Sequence, residues 1–141
     1  MSRLMRRPDW PEALAAAVGA AERRPYALGE WDCLAFAFGC IAAMTGQDWW
    51  PAFEGRYRTV AGAKRVIRLY GRTLREAFGV FTGLAEVPIL TARRGDVAIY
   101  RDAAGEHLGV VMGTAVLVLA DDGLRRVPVG SKGVIAAFGV G

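Results

Sequence analysis

Cys33 directly follows Asp32 and heads an apolar run, Leu34-Ala35-Phe36-Ala37-Phe38. A thiol is nucleophilic as thiolate, and a helix N-terminus stabilises that anion through unpaired N–H groups and the helix macrodipole. Asp32 has the side chain of an N-cap, so the spacing puts Cys33 in the first turn with a lowered pKa expected. Its own backbone N–H can also face a developing oxyanion. A free cysteine is equally an ordinary small core residue, so chemistry at Cys33 requires a base. His107 is the chain's single histidine, and any Cys–His pair has to use it. In a strand it shares a face with Gly109 and Val111, while Leu108, Val110 and Met112 face the other way. A glycine two residues from the imidazole leaves room there for a substrate or a neighbouring helix. The plain alternative is a surface histidine beside Glu106. Cys40 serves as an internal control, because it sits mid-helix between Gly39 and Ile41, where nothing activates a thiol.

The elements that must hold these two residues are legible in outline. Asp9 with Glu12 three residues on, and Pro11 between them, suggests a capped first helix ending near Arg23. The stretch 25–29 is an extended turn. A second helix runs over 33–44 and is ended by Gly46. Trp49-Trp50-Pro51 makes a loop, 59–70 forms a third helix stopped by Gly71, and Thr73 with Glu76 caps a short fourth helix through Phe78. The pattern then changes to apolar runs at 97–100, 108–112, 115–119, 124–127 and 134–138, separated by glycine and polar turns. Such spacing reads as an antiparallel sheet. Helices first and strands second make an α+β fold, with N-terminal helices packed on a curved antiparallel sheet.

The 141 residues fit one domain spanning 1–141, and a 53% hydrophobic content supplies a single core. No apolar run reaches the ~18–20 residues that cross a bilayer, and the basic N-terminus leads into no apolar signal core, so neither a membrane span nor a signal peptide is expected. Net charge is +4. The cations are scattered in pairs rather than gathered with aromatics on one face, which argues against nucleic acid as a partner. In one helix Cys33 and Cys40 lie ~10 Å apart along the axis, too far for a disulfide. One histidine and two such cysteines make no structural zinc site, and no metal is expected.

Three ordered segments resemble a known family. Pro25-Tyr26-x-x-Gly29-x-x-Asp32-Cys33, Arg94-Gly95-Asp96-Val97-Ala98-Ile99-Tyr100 and His107-Leu108-Gly109-Val110-Val111-Met112-Gly113 are similar to the signature segments of the NlpC-type cell-wall peptidases, compact members of the papain-like thiol hydrolases. The resemblance runs from about Tyr26 to Gly113 and implies a papain-like fold. It implies Cys33 as nucleophile and His107 as general base, later protonating the leaving amine. Tyr26 would line the nucleophile's pocket, Asp32 would cap the helix and shape the cleft floor, and Gly95-Asp96 would turn into the first strand. The implied substrate is an amide bond in bacterial peptidoglycan stem peptides, with no cofactor. Two departures stand out. Leu34-Ala35 follow the cysteine where Ser-Gly is usual. The family also orients the histidine by a polar residue on the next strand, where 115–119 is wholly apolar; the nearest candidates are Asp121, taken as third member, and Asp122.

The resemblance is closest to short versions from tailed bacteriophages. It therefore implies a virion protein of the tail tip, made in the host cytoplasm, with peptidoglycan and other tail-tip proteins as partners. The rival from another class is a non-catalytic tail-tip assembly protein of the same fold. An acyltransferase or transglutaminase relative is more distant. Trp31 is a candidate wall of the substrate groove, although packing beside a helix start is the commoner use. The 49–53 aromatic loop either binds a partner or folds onto the core, and Lys64, Arg65 and Arg68 read as a solvated helix face.

Overall fold

The computed structural model describes residues 4–141; Met1, Ser2 and Arg3 of the basic N-terminal stretch lie outside the described residues. The chain forms α1 (Trp10–Glu22), α2 (Cys33–Thr45), α3 (Val60–Ile67) and α4 (Leu74–Thr82), followed by β1 (Glu86–Val87), β2 (Val97–Asp102), β3 (Gly105–Met112), β4 (Ala115–Ala120), β5 (Gly123–Pro128) and β6 (Val134–Phe138). It is an α+β fold. The strands make one antiparallel sheet in the order β1-β6-β2-β3-β4-β5. No helix among the described residues is long and apolar enough to cross a membrane.

Local signals explain most boundaries. Thr59 accepts from Gly62 N and Thr73 from Glu76 N, capping α3 and α4, and Gly46 and Gly83 close α2 and α4 with positive φ. Asp9 occupies the cap position of α1 but its side chain makes no cap bond. The third helix ends at Ile67, short of Tyr70, and the fourth continues four residues past Phe78. The two-residue β1, paired with β6, has no apolar run to announce it.

The main core lies between the helices and one face of the sheet, where Leu14, Phe36, Ile41 and Met44 meet Ile99, Leu108, Val110 and Phe138. A smaller cluster, with Ala98, Val111, Val116, Val118 and Val134, occupies the other face, and Ile89 and Ala92 pack against it. The 49–53 loop folds onto the core: Phe53 stacks on Phe38 at 5.5 Å, and Trp49 packs edge-on to Phe38 and Phe81. The last strand, β6, is paired on both sides.

The Arg94-Gly95-Asp96 segment ties both ends of the described chain to the sheet. Arg6 donates to Val140 O and Arg94 O, each at 2.6 Å, and to Asp96 Oδ1 at 2.9 Å. Asp96 also accepts from Arg93 N and Val140 N. Gly95 has φ +93°, and a Cβ there would meet Met44 Sδ at 2.6 Å. This turn enters β2, the second strand, because β1 precedes it.

Candidate active site

The helix that carries Cys33 starts from a densely bonded loop. Ala27 and Trp31 exchange backbone hydrogen bonds of 2.9 and 2.6 Å around a tight turn. Gly29 at its tip has φ +82°, and a Cβ there would lie 2.1 Å from Tyr57 O. Only glycine fits, by conformation and by space. Asp32, 2% exposed, accepts from Leu34 N and Ala35 N at 3.1 Å and from Gly29 N at 2.9 Å. Its fourth donor is Tyr57 Oη at 2.5 Å. One buried carboxylate thus caps α2, fixes the preceding turn and anchors the segment before α3. Tyr57 was not foreseen from sequence, since a lone tyrosine between arginines carries no motif. Burial and the adjacent Asp32 carboxylate push its hydroxyl far above the usual tyrosine range, so it stays a donor.

The β-ladder explains how a helix start reaches β3. Val111 N donates to Asp96 O, so in the antiparallel alternation the N–H groups of Val110, Leu108 and Glu106 point away from β2. On that side β4 pairs with β3 only up to Gly109↔Val118, although β4 itself continues to Ala120 against β5. The sheet therefore splits beyond Gly109, leaving the Leu108 N–H without a strand partner. Cys33 fills this gap: the N–H groups of Leu108, Cys33 and Leu34 all favour a thiolate at its sulfur. The thiol meets the sheet at an open strand edge rather than over a face. That position accounts for the outward parity of His107, whose neighbour Leu108 points into the helical core.

Cys33, His107, Tyr26, Asp32, Tyr57 and Asp121 all line one cleft of about 670 Å³. No hydrogen bond joins Cys33 to His107 among the described residues; the imidazole's bond is to Asp102, with Nε2 at 2.9 Å from Oδ1. Asp102 also accepts from Ala104 N at 2.9 Å. The His107 and Ala104 hydrogen bonds hold its carboxyl below the ordinary aspartate range. An ionised carboxylate only accepts, so Nε2 carries the proton and Nδ1 is left as the basic nitrogen. Asp121, taken from sequence as the third member, makes no hydrogen bond to the ring; Asp102 holds that position. The β2–β3 hairpin explains the difference. Its register sets Tyr100 opposite His107 and Asp102 opposite Gly105, which makes Asp102 the diagonal same-face neighbour of His107.

Three further expectations change. Burial, followed by the Asp32 charge, pushes the Cys33 thiol up to about 12 despite the N–H groups around it. This direction is the opposite of the lowering expected from the helix start alone. Burial alone raises Cys40 to the same level, so only the surroundings distinguish the two cysteines. Trp31 packs edge-on to Phe36 with the Arg24 guanidinium 4.4 Å above its ring, and is not among the residues that line the cleft. The space beside Gly109 is taken by its own sheet, since a Cβ would meet Val116 Cγ1 at 2.5 Å and Leu117 O at 3.0 Å. Tyr26 does line the cleft, and its hydroxyl is raised to about 12 by burial and by the neighbouring Cys33, Asp32 and Asp121. Among the described residues no group of three or more His, Cys, Asp or Glu side chains is placed to hold a metal ion.

The fold and the site together define an α+β domain in which a helix-start cysteine, wedged into a split sheet, shares a cleft with a His–Asp pair. The chain belongs to a family described as a domain of unknown function, DUF6950, whose model matches residues 5–140. No curated protein matches the chain.

Proposed function

We propose that this domain is a thiol hydrolase of the NlpC type, with a papain-like fold, that cleaves amide bonds in peptidoglycan stem peptides. The observation that carries this reading is the shared cleft of Cys33 and the Asp102-bound His107. In the reaction the Cys33 proton passes to His107 Nδ1 as the sulfur attacks the scissile carbonyl carbon. The Cys33 N–H faces the developing oxyanion, and Asp102 stabilises the imidazolium through Nε2. The imidazolium then protonates the leaving amine, which departs and leaves a thioester. Water, deprotonated by the same ring, hydrolyses that thioester and restores the thiol. No cofactor is called for.

Incubation of purified sacculi with the wild type should release new amino groups, and Cys33→Ala should release none. Equal release from both proteins, or none from either, overturns the hydrolase reading. The delivery of the domain by a phage-type tail is a proposal resting on the sequence resemblance, and detection of the chain in purified virions tests it. The rival assembly role is favoured by one observation: among the described residues no hydrogen bond joins Cys33 to His107, whose ring is bonded to Asp102 instead. Under that rival Cys33→Ala leaves particle assembly and infectivity intact and sacculi uncut by either form.

A further inference from the structure

Asp32 is 2% exposed and immediately precedes Cys33, so negative charge left on its carboxylate opposes a thiolate at the neighbouring sulfur. Burial and that charge, in this order, are what raise the Cys33 thiol. Three of the four donors to Asp32 are backbone N–H groups, those of Gly29, Leu34 and Ala35, supplied by the turn and the helix cap themselves. The fourth is the Tyr57 hydroxyl, 25 residues along the chain and the one donor carried by a side chain. Tyr57 is 5% exposed, and the backbone that carries it is pinned. Gly55 N donates to Gly29 O at 3.0 Å, and Tyr57 O lies where a Cβ on Gly29 would be. The other ionisable groups near the sulfur are Tyr26, on the turn before α2, and His107, on β3 in the same cleft. Asp121, after β4, acts on Tyr26.

We infer that Tyr57 is a positioning residue for Cys33: its hydroxyl holds the Asp32 carboxylate in place and draws charge away from the sulfur, easing thiolate formation. The inference rests on the hydrolase reading for its catalytic meaning, while its test measures thiol reactivity alone. A hydrogen bond to an ionised acceptor is stronger than one between neutral groups, and it spreads the anion's charge toward the donor. The Tyr57 hydroxyl can serve because burial and the carboxylate itself keep it protonated. Satisfying a buried carboxylate would account for a donor at this place with no effect on the sulfur. The two roles differ in sign. Losing a merely structural bond loosens the packing around a buried thiol and speeds its modification, whereas losing an electrostatic one slows it.

The test is Tyr57→Phe, which keeps the ring and removes the hydroxyl, with Tyr70→Phe as control. Tyr70 packs against Phe53 and Phe81 and makes no bond to Asp32. Alkylation of Cys33 by iodoacetamide is followed from neutral to mildly alkaline pH, with Cys40 as internal reference. Below the pKa of a thiol, the logarithm of its alkylation rate rises in proportion to pH. Tyr57→Phe should displace that line by about one unit toward higher pH, a tenfold slower reaction at any given pH, and leave Cys40 unchanged. Tyr70→Phe should leave the line where it is. In an Asp32→Asn background the charge is gone, and Tyr57→Phe should no longer slow Cys33. Unchanged or faster Cys33 alkylation in Tyr57→Phe overturns the inference, as does an equal slowing in Tyr70→Phe or in the Asp32→Asn background. Sacculi left uncut by the wild type sink the hydrolase reading while a displaced line still stands. Sacculi that are cut, with no displacement, sink this inference alone.

Discussion

The His107–Asp102 pair gives the sharpest test of the site, because sequence and structure nominate different carboxylates. The perturbation is Asp102→Ala, with Asp102→Asn and Asp121→Ala beside it. Nε2 and Oδ1 are 2.9 Å apart, and the two side chains are 29% and 31% exposed. Solvent screening at that exposure limits the ion pair to about 1 kcal/mol, well short of a buried pair. About 1 kcal/mol of lost imidazolium stabilisation corresponds to roughly a fivefold lower reactivity of Cys33. Alanine also removes the acceptor that fixes the tautomer and ring orientation, adding about another tenfold. Asparagine keeps a carbonyl acceptor, so it should show only the first factor. The assay is the rate of Cys33 alkylation by iodoacetamide at pH 7.5, read by peptide mass with Cys40 as internal reference, and then the rate of amine release from sacculi. Unchanged Cys33 reactivity in Asp102→Ala, or an equal fall in Asp121→Ala, would refute the assignment.

The same pair has a consequence for stability. Because the Asp102 carboxyl is held low in the fold, its contribution is present above the unfolded value of about 3.9 and is lost as pH falls through the lowered folded value. The stability gap between wild type and Asp102→Ala, measured by denaturant at several pH values, should close only in acid below that range. Cys33 should alkylate faster than Cys40 in the native protein, since both thiols are raised alike but only Cys33 has the N–H groups and the cleft; equal rates would remove the case for a reactive thiol. Gly29→Ala should destabilise by more than the ~1 kcal/mol of an ordinary left-handed alanine, because its methyl carbon collides with Tyr57 O, and a chemical denaturation midpoint unchanged from wild type would contradict this. Arg6→Met leaves Asp96 buried without its cation, and should cost about 3–5 kcal/mol by the same measurement.

How far the sequence reached depended on the range of the forces involved. Helix starts at Cys33 and Leu74 were legible because Asp32 and Thr73 bond their own first turns, an interaction contained within a few residues. The last five strands were legible from their apolar runs, whereas β1 exists only because β6 lies beside it. The 49–53 loop could be read either way, because an aromatic residue seeks a partner of any origin, and here the partners Phe38 and Phe81 come from distant elements.

The site itself divides along the same line. Cys33 and His107 were found by residue type and order, but the gap that unites them is a property of the sheet. It arises where β3 stops pairing with β4 after Gly109, and no residue type marks that point. The direction in which burial moves the thiol was not legible for a related reason. Helix-start N–H groups are visible in sequence, while desolvation is a sum over everything packed around the sulfur and outweighs them. Asp102 was within reach of local reasoning. If the hairpin turn is set at Ala103-Ala104, the register follows by counting and places an acid diagonally across from His107. The resemblance points instead to the strand after His107, and so to Asp121, which makes no hydrogen bond to the ring. A local rule applied to the hairpin gives the imidazole's partner, because cross-strand neighbours follow from the register alone.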